Sequence, residues 1–326
     1  MKAAFCTELG GPEVLQVGEV ETPEPGAGEV RVRVHASGVN PSDWKARYRG
    51  RGGGMGYNLI IPHSDGAGVV DKVGSGVSGF EPGQRVWVLN AQYLRPLGTA
   101  AEYVVLPQNL VFPLPDGADF NEGACFGIPF LTAHRALTME GDIKGQTVLI
   151  QGGAGAVGHH LIQIAKRLGA TVLTTVSSDE KAAYATEAGA DHALIYTDED
   201  YVAGLLEATD GAGVDRIIEV NLSGNGLTYG VVLKPGGTVI IYGTNDPVAQ
   251  VPAMDFIRRG ATLKWFIVYE INDAQRQAGA AMLNDMVSDS GLVTTIAKTF
   301  PLDEVQASHE MVEAAKHIGN VVLEIP

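Results

Sequence analysis

The segment Thr147–Ala170, TVLIQGGAGAVGHHLIQIAKRLGA, decides the fold. Its first five residues form an apolar run of strand length, and beyond the glycines Leu161, Ile164, Ala165 and Leu168 recur on one side of a helix. The turn between them places Gly153, Gly155 and Gly158 in the spacing G-x-G-x-x-G. Alone, that spacing says little. Where it closes a strand and opens a helix inside a βαβ unit, glycine lets backbone amides approach a pyrophosphate lying on the helix N-terminus. A tight turn that only seats the helix close to the strand is the bland alternative.

Downstream, apolar runs at Thr171–Val176, His192–Tyr196, Val214–Val220, Thr238–Tyr242 and Thr262–Val268 alternate with amphipathic helical segments. With Thr147–Gln151 they make six strands joined by crossovers, the complement of a dinucleotide-binding domain. The second strand ends at TTVSSDEK. A site selective for NAD normally carries an acid there to bind the ribose hydroxyls; here Ser177 and Ser178 stand in its place, and Lys181 adds a cation one turn later. A serine can donate to a 2′-phosphate that a carboxylate would repel, so NADP(H) is the expected cofactor. Ser177 and Glu180 also have the spacing of a helix capping box.

Upstream of about Leu114 the character differs. Short apolar runs, among them EVRVRVHA with Val30, Val32 and Val34 alternating against Arg31, Arg33 and His35, are separated by turn signals such as PEPGAGE and PLPDG. This half is expected to be all-β, and EGACFGIPFLTAHRAL, which follows it, reads as a helix. A length of 326 residues suits two domains, and 45% apolar content is ample for packed cores. The chain carries 38 acids against 23 lysines and arginines, a formal charge of −15, which argues against nucleic acid or an anionic membrane as the main partner. Cys6 and Cys125 are the only cysteines and lie in no metal-binding spacing, which fits a reducing, cytoplasmic setting. No stretch reads as a signal peptide or a membrane span.

With these residues in view, the chain resembles the zinc-independent quinone oxidoreductases, the zeta-crystallin-like branch of the medium-chain dehydrogenase/reductase superfamily. The resemblance rests on SGVNPSDWK, IPHSDGAGVVDKVGSGV, GIPFLTAHRAL and the glycine signature from Gly145 to Lys166, in which Ala156 replaces an expected glycine. It implies an α/β chain with a GroES-like β-barrel catalytic domain, residues 1–122 plus 269–326. A Rossmann domain with a doubly wound six-stranded parallel sheet, 123–268, would follow, with NADP(H) in the cleft. Zinc-dependent cousins use a Cys, a His and a Cys where this chain has Asn40, Ser64 and Gly127, and their lobe of four cysteines is missing from VLNAQYLRPLGT, so no metal is expected.

The resemblance further implies that Ala154, Gly155, Ala156 and Val157 contact the pyrophosphate. Ser177, Lys181 and Tyr196 would meet the adenosine phosphate and ribose, and Tyr242, Gly243 and Thr244 would wall the nicotinamide ribose. Asn40 ranks first as a catalytic and cofactor-contacting residue, because its amide can bond both the nicotinamide end and a substrate carbonyl; an Asx turn before Pro41 is the alternative. Asp43 ranks second, either orienting this loop or capping a helix. Trp44 and Lys45 depart from the family's usual tyrosine.

Several tempting residues carry less. His63, Ser64 and Asp65 are adjacent and cannot converge as a triad. His159 and His160 face different directions and are expected near the surface. Cys125 reads as a small buried thiol. In RYRGRGGGMGY, Arg47, Arg49 and Arg51 form either a rim that attracts an anionic group, an RNA contact, or a solvated loop. The expected reaction is metal-free hydride transfer from NADPH to a quinone or an α,β-unsaturated carbonyl, with the proton from solvent, Tyr48 or Tyr57. An enoyl-thioester reductase, or a non-enzymatic NADPH-binding, RNA-interacting protein, are the alternatives. The apolar sixth strand, TLKWFIV, would be an exposed edge in a monomer, so a homodimer joined there is expected.

Overall fold

A computed structural model describes residues 1–50, 54–289 and 291–326. The chain divides into two compact units, Met1–Pro129 with Arg276–Pro326, and Phe130–Gln275. In the first, β1 (Lys2–Phe5) and β2 (Gln16–Glu19) pair antiparallel. The organising element is β3 (Glu29–Val39), in which Val30, Val32 and Val34 are buried while the intervening side chains face outward. From Ala36 to Asn40 every residue is buried, so this half of the strand is covered on both faces. There follow α1 (Pro41–Arg49), β4 (Asp65–Val73), β5 (Arg85–Val88), β6 (Tyr103–Pro107), β7 (Val111–Pro113) and α2 (Phe120–Gly123).

The second unit contains α3 (Leu131–Thr138), β8 (Thr147–Gln151), α4 (Ala156–Arg167), β9 (Thr171–Val176), α5 (Asp179–Glu187), β10 (His192–Ile195) and α6 (Tyr201–Glu207). It continues with β11 (Val214–Glu219), α7 (Leu222–Asn225), α8 (Tyr229–Val232), β12 (Leu233–Ile241), α9 (Ala253–Arg259) and β13 (Thr262–Trp265). Its six strands are parallel in the order β10-β9-β8-β11-β12-β13. The order reverses between β8 and β11, and in such sheets ligands bind beyond the carboxyl ends of the strands at that switch point. The glycine turn after β8 lies there. Leu149, Leu173, Ile217 and Val239 from neighbouring strands form the core of this sheet.

The chain leaves through α10 (Asp273–Ser288) and completes the first unit with β14 (Ile296–Pro301), α11 (Val305–Ala314) and β15 (Asn320–Glu324). The seven-stranded sheet there runs β14-β15-β3-β4-β5-β7, with β6 also paired to β3. One edge of β3 pairs with β4; the other pairs with β6 at Glu29–Arg33 and with β15 at Ala36–Val39. Register shifts in the β3–β4 ladder lie between Arg31 and Val32 and between Val34 and Ala36. Bulges of this kind bend a strand, which lets one strand serve two partners along a single edge. Among the described residues no helix is long and apolar enough to cross a membrane.

Three expectations need correction. The stretch from Glu122 to Leu137 is not one helix: α2 stops at Gly123, a wide π-type turn with Pro129 inside it spans Phe126–Phe130, and α3 begins at Leu131. Proline lacks the N–H that a continuous helix needs there. His159 and His160 are not near the surface but 4% and 1% exposed. The His159 ring stacks on Tyr184 of α5 at 4.4 Å and the His160 ring meets Phe130 edge-on at 5.5 Å, so α4 is covered on both flanks. Finally, Ser178 rather than Ser177 caps α5, its Oγ accepting the Lys181 N–H at 3.3 Å.

Candidate active site

Asn40 stands between β3 and Pro41, whose missing N–H suits the first turn of α1. Asp43 turns back on it: its Oδ2 accepts the Asn40 N–H at 2.7 Å, while the Asp43 N–H donates to the Asn40 carbonyl at 2.9 Å. Asn40 and Asp43 thus form a capping box at the start of α1, and the amide nitrogen of Asn40 is directed to a second carboxyl. Asn40 Nδ2 donates to Asp65 Oδ2 at 2.8 Å, and the Ile128 N–H donates to the same oxygen at 2.8 Å. Asn40, Asp43 and Asp65 are all buried. Burial pushes the Asp65 carboxyl well above the usual carboxylate range; the Ile128 N–H opposes the rise and the charge of Asp43 adds to it.

Gly127 makes room for this pair, since a Cβ at that position would lie 2.1 Å from Asp65 Oδ1. The three positions that the resemblance matches to zinc ligands lie about one carboxyl: Asn40 bonds it, Ser64 precedes it in the chain and Gly127 packs against it. Amide, hydroxyl and hydrogen lack the thiolate and imidazole donors that hold zinc. Among the described residues no three His, Cys, Asp or Glu group together as a metal site. The side chains of His63 and Asp65 also part company, the ring bonding Ser37 and His309 and the carboxyl bonding Asn40 and Ile128.

A cavity of about 230 Å³ lies beside α1, with Asp43, Ala46, Met55, Tyr57, Ile60 and Gln92 in its wall. The Tyr57 hydroxyl donates to the Leu94 carbonyl at 2.6 Å; Tyr48 is 55% exposed. Arg47 is not part of a loose rim. It is 3% exposed, and its guanidinium is committed to the Gly10 carbonyl, His309 and Glu313. Arg51 lies outside the described residues. Cys125 is a buried thiol that burial makes harder to ionise.

In the second unit the glycine turn is as tight as backbone allows. A Cβ on Gly158 would lie 2.1 Å from the Gly152 carbonyl oxygen, and one on Gly153 would lie 2.2 Å from Thr174 Oγ1. Gly155 is the N-cap of α4 and offers no capping side chain. Among the described residues the N–H groups of Ala156, Val157 and Gly158 find no acceptor. A twelve-residue helix with bare first-turn amides and a side-chain-free approach is the arrangement that accepts a pyrophosphate. Ala154 sits within the same turn.

Ser177 follows β9, and the Tyr196 N–H donates to the Val176 carbonyl at 3.0 Å, which sets Tyr196 beside that strand end with half its surface exposed. Lys181, at the start of α5, makes no ion pair among the described residues. Tyr242, Gly243 and Thr244 leave β12 next to β11. The Tyr242 N–H donates to the Glu219 carbonyl at 3.0 Å, and a Cβ on Gly243 would lie 2.4 Å from the Val220 carbonyl oxygen. These three residues help line a cavity of about 450 Å³ together with Leu222, Trp265 and Phe266.

Two carboxyls escaped notice in the sequence. The signal for Asp65 is a single acid that opens the apolar run GAGVV. Glu219 ends the apolar run VDRIIE, is fully buried, accepts the Asn221 N–H and Asn225 Nδ2, and is pushed up to about 7 by burial. It underlies Tyr242, whose phenol is pushed upward by burial and by that carboxyl.

Comparison with known proteins agrees with this architecture. The family model for the alcohol dehydrogenase GroES-like domain matches residues 26–116, and that for zinc-binding dehydrogenases matches 156–284. Quinone oxidoreductase from Sus scrofa is 32% identical over 333 residues, covering 99% of this chain and 97% of its own length. The 2-haloacrylate reductase of Burkholderia sp is 32% identical over 340 residues, with 98% of each chain covered. Among solved structures, mycobacterial Rv1454c complexed with NADPH superposes with a TM-score of 0.88 at 30% identity, covering 99% of this chain and 100% of that one. Similarity to quinone oxidoreductases over nearly the full length, on a GroES-like and a dinucleotide-binding unit, places the protein: the chain belongs to the quinone oxidoreductase family, the zinc-independent branch of the medium-chain dehydrogenase/reductases.

Proposed function

We propose that this oxidoreductase uses NADPH to reduce a quinone or the conjugated double bond of an α,β-unsaturated carbonyl, without a metal. The observation that carries the reading is the buried Asn40–Asp65 hydrogen bond at 2.8 Å, at a position that the resemblance matches to a zinc ligand. Bound NADPH supplies hydride, two electrons with one proton. The amides at Ala154, Gly155, Ala156 and Val157 hold its pyrophosphate, Ser177 and Lys181 take the 2′-phosphate, and Tyr196 lies against the ribose. Tyr242, Gly243 and Thr244 wall the nicotinamide ribose.

Asp65 occupies one N–H of the Asn40 amide and so fixes its plane. The other N–H is the donor we assign to the acceptor oxygen, where negative charge grows as the acceptor is reduced; Asn40 also contacts the nicotinamide end. Preorganised donors of this kind act on the transition state and lose little to reorganisation. Asp43 keeps the Asn40 backbone at the helix start. The second proton comes from solvent or from a tyrosine, Tyr48 or Tyr57, of which Tyr57 lies in the cavity wall beside α1. Relatives named for quinones and for 2-haloacrylate support this acceptor range.

Steady-state oxidation of NADPH with a panel of p-benzoquinones, enones, 2-haloacrylate and enoyl thioesters tests the reading. Turnover with quinones or enones is expected. Tight NADPH binding without turnover of any acceptor would overturn it, and a preference for enoyl thioesters would shift the substrate class. We further propose a cytoplasmic homodimer joined at β13, supported by its edge position and by Trp265 and Ile267, which are 60% and 45% exposed.

A further inference from the structure

The first unit contains a buried chain of hydrogen bonds that the proposed reaction leaves unused. Arg47 Nη1 lies 3.0 Å from His309 Nδ1, and His309 Nε2 lies 2.9 Å from His63 Nε2. His63 Nδ1 lies 2.9 Å from Ser37 Oγ, Ser37 Oγ lies 2.8 Å from Thr99 Oγ1, and Thr99 Oγ1 donates to the Asp65 carbonyl at 2.6 Å. All five side chains are buried, four of them completely.

The two ends decide the direction of every bond between them. A guanidinium can only donate, so His309 Nδ1 must be a bare acceptor and its proton sits on Nε2. That proton points at His63 Nε2, which must accept, so His63 carries its proton on Nδ1 and donates it to Ser37. Ser37 then donates to Thr99, and Thr99 to a carbonyl that can only accept. Both rings are therefore neutral and held in opposite tautomers. Burial acts in the same sense, lowering the basicity of His63 and His309, with Arg47 adding to the effect on His309. His63 adopts φ of 73°, the left-handed region that a non-glycine residue enters only when its surroundings hold it there.

Both ends of this chain arrive at the elements that hold Asn40. Arg47 lies in α1, which starts at Asn40, and its Nη2 also reaches Glu313 of α11 at 3.1 Å. The Asp65 carbonyl belongs to the residue whose carboxyl grips the Asn40 amide. We propose that His309 and His63 are positioning residues that set α1 against the start of β4, and thereby fix the Asn40–Asp65 pair for acceptor reduction. This rests on the reading of Asn40 as the donor to the acceptor.

Long-range ¹H–¹⁵N spectra of histidine-labelled wild-type protein at pH 7 test the chain directly: His309 should be the neutral Nε2–H tautomer and His63 the neutral Nδ1–H tautomer. The reverse tautomers, or a charged ring, would overturn it. The positioning role is read from His309→Leu and from His309→Asn, which keeps an acceptor for Arg47. In His309→Leu the kcat/KM for p-benzoquinone should fall about tenfold while the NADPH Kd stays within about twofold, with a smaller fall in His309→Asn. Should the leucine variant not fold, His309→Asn carries the comparison. Lower melting temperatures with unchanged kcat/KM in both would reduce the chain to a core element and overturn the proposal. The double variant with Asn40→Ala should lose no more than Asn40→Ala alone; additive losses would show that His309 does not act through Asn40. An Asn40→Ala variant of full activity would instead sink the reading of the site, while the tautomers would still report on the chain.

Discussion

Asn40 stands out in the sequence because its motif, SGVNPSDWK, carries the family resemblance, but its hydrogen-bond partner Asp65 does not. An acid in the turn-rich segment HSDG reads as solvated, and only the fold shows that Gly127, sixty-two positions after Asp65, clears the space for its carboxyl. The histidines of α4 show a different limit. Their spacing correctly says that the rings point apart, yet direction says nothing about burial when a helix is covered on both flanks. The consequence is measurable, because burial pushes His160 down to about 3. Between about pH 6.5 and that value the unfolded chain binds a proton that the folded one refuses, so His160 costs stability as the pH falls, by about 1.4 kcal/mol per pH unit. Urea midpoints of wild type and His160→Leu between pH 7 and 5 should therefore diverge, the variant losing less on acidification; parallel slopes would refute the assignment.

At the scale of elements, the strand–glycine–helix junction was readable to the residue, since β8 and β9 have the expected limits. Strong apolar runs bounded by turns leave little freedom in such assignments. Helix ends and interruptions were less legible: periodicity runs straight through Gly127 and Pro129, and two adjacent serines offer two equivalent caps. The choice of Ser178 as the cap leaves Ser177 free of that duty and sets Lys181 in the first turn of α5. Lys181→Ala should raise the NADPH Kd about tenfold, as expected for loss of one charge-assisted contact to phosphate, and leave the NADH Kd unchanged. Equal effects on both cofactors, or none, would remove Lys181 from phosphate recognition. Isothermal titration calorimetry reads both.

For the whole molecule, the shift from short alternating strands to βα units announced two architectures, and the return of the last residues to the first was expected from the resemblance alone. What pairing of distant segments creates was invisible. Arg47 meets His309 across 262 positions, and a sequence that places Arg47 in a glycine-rich stretch suggests a mobile rim, not a buried clamp. The acidic charge of −15 is a property of the whole chain, and local donors at Ser177 and Lys181 are compatible with it. Assembly belongs to this scale as well. β13 closes the parallel sheet with an unpaired edge, and sedimentation velocity at micromolar concentration should show a dimer that Trp265→Pro, which removes an N–H facing away from β12, dissociates. A monomeric wild type would contradict the proposed interface.

In the proposed reaction the glycine turn binds NADPH and the Asp65-held amide of Asn40 activates the acceptor. Single-turnover stopped-flow oxidation of prebound NADPH by p-benzoquinone, comparing wild type with Asn40→Ala, tests it most directly. The account predicts an NADPH Kd within about twofold of wild type and a rate constant lower by about a hundredfold, the range seen when a preorganised donor is removed. An unchanged rate constant in Asn40→Ala would contradict it.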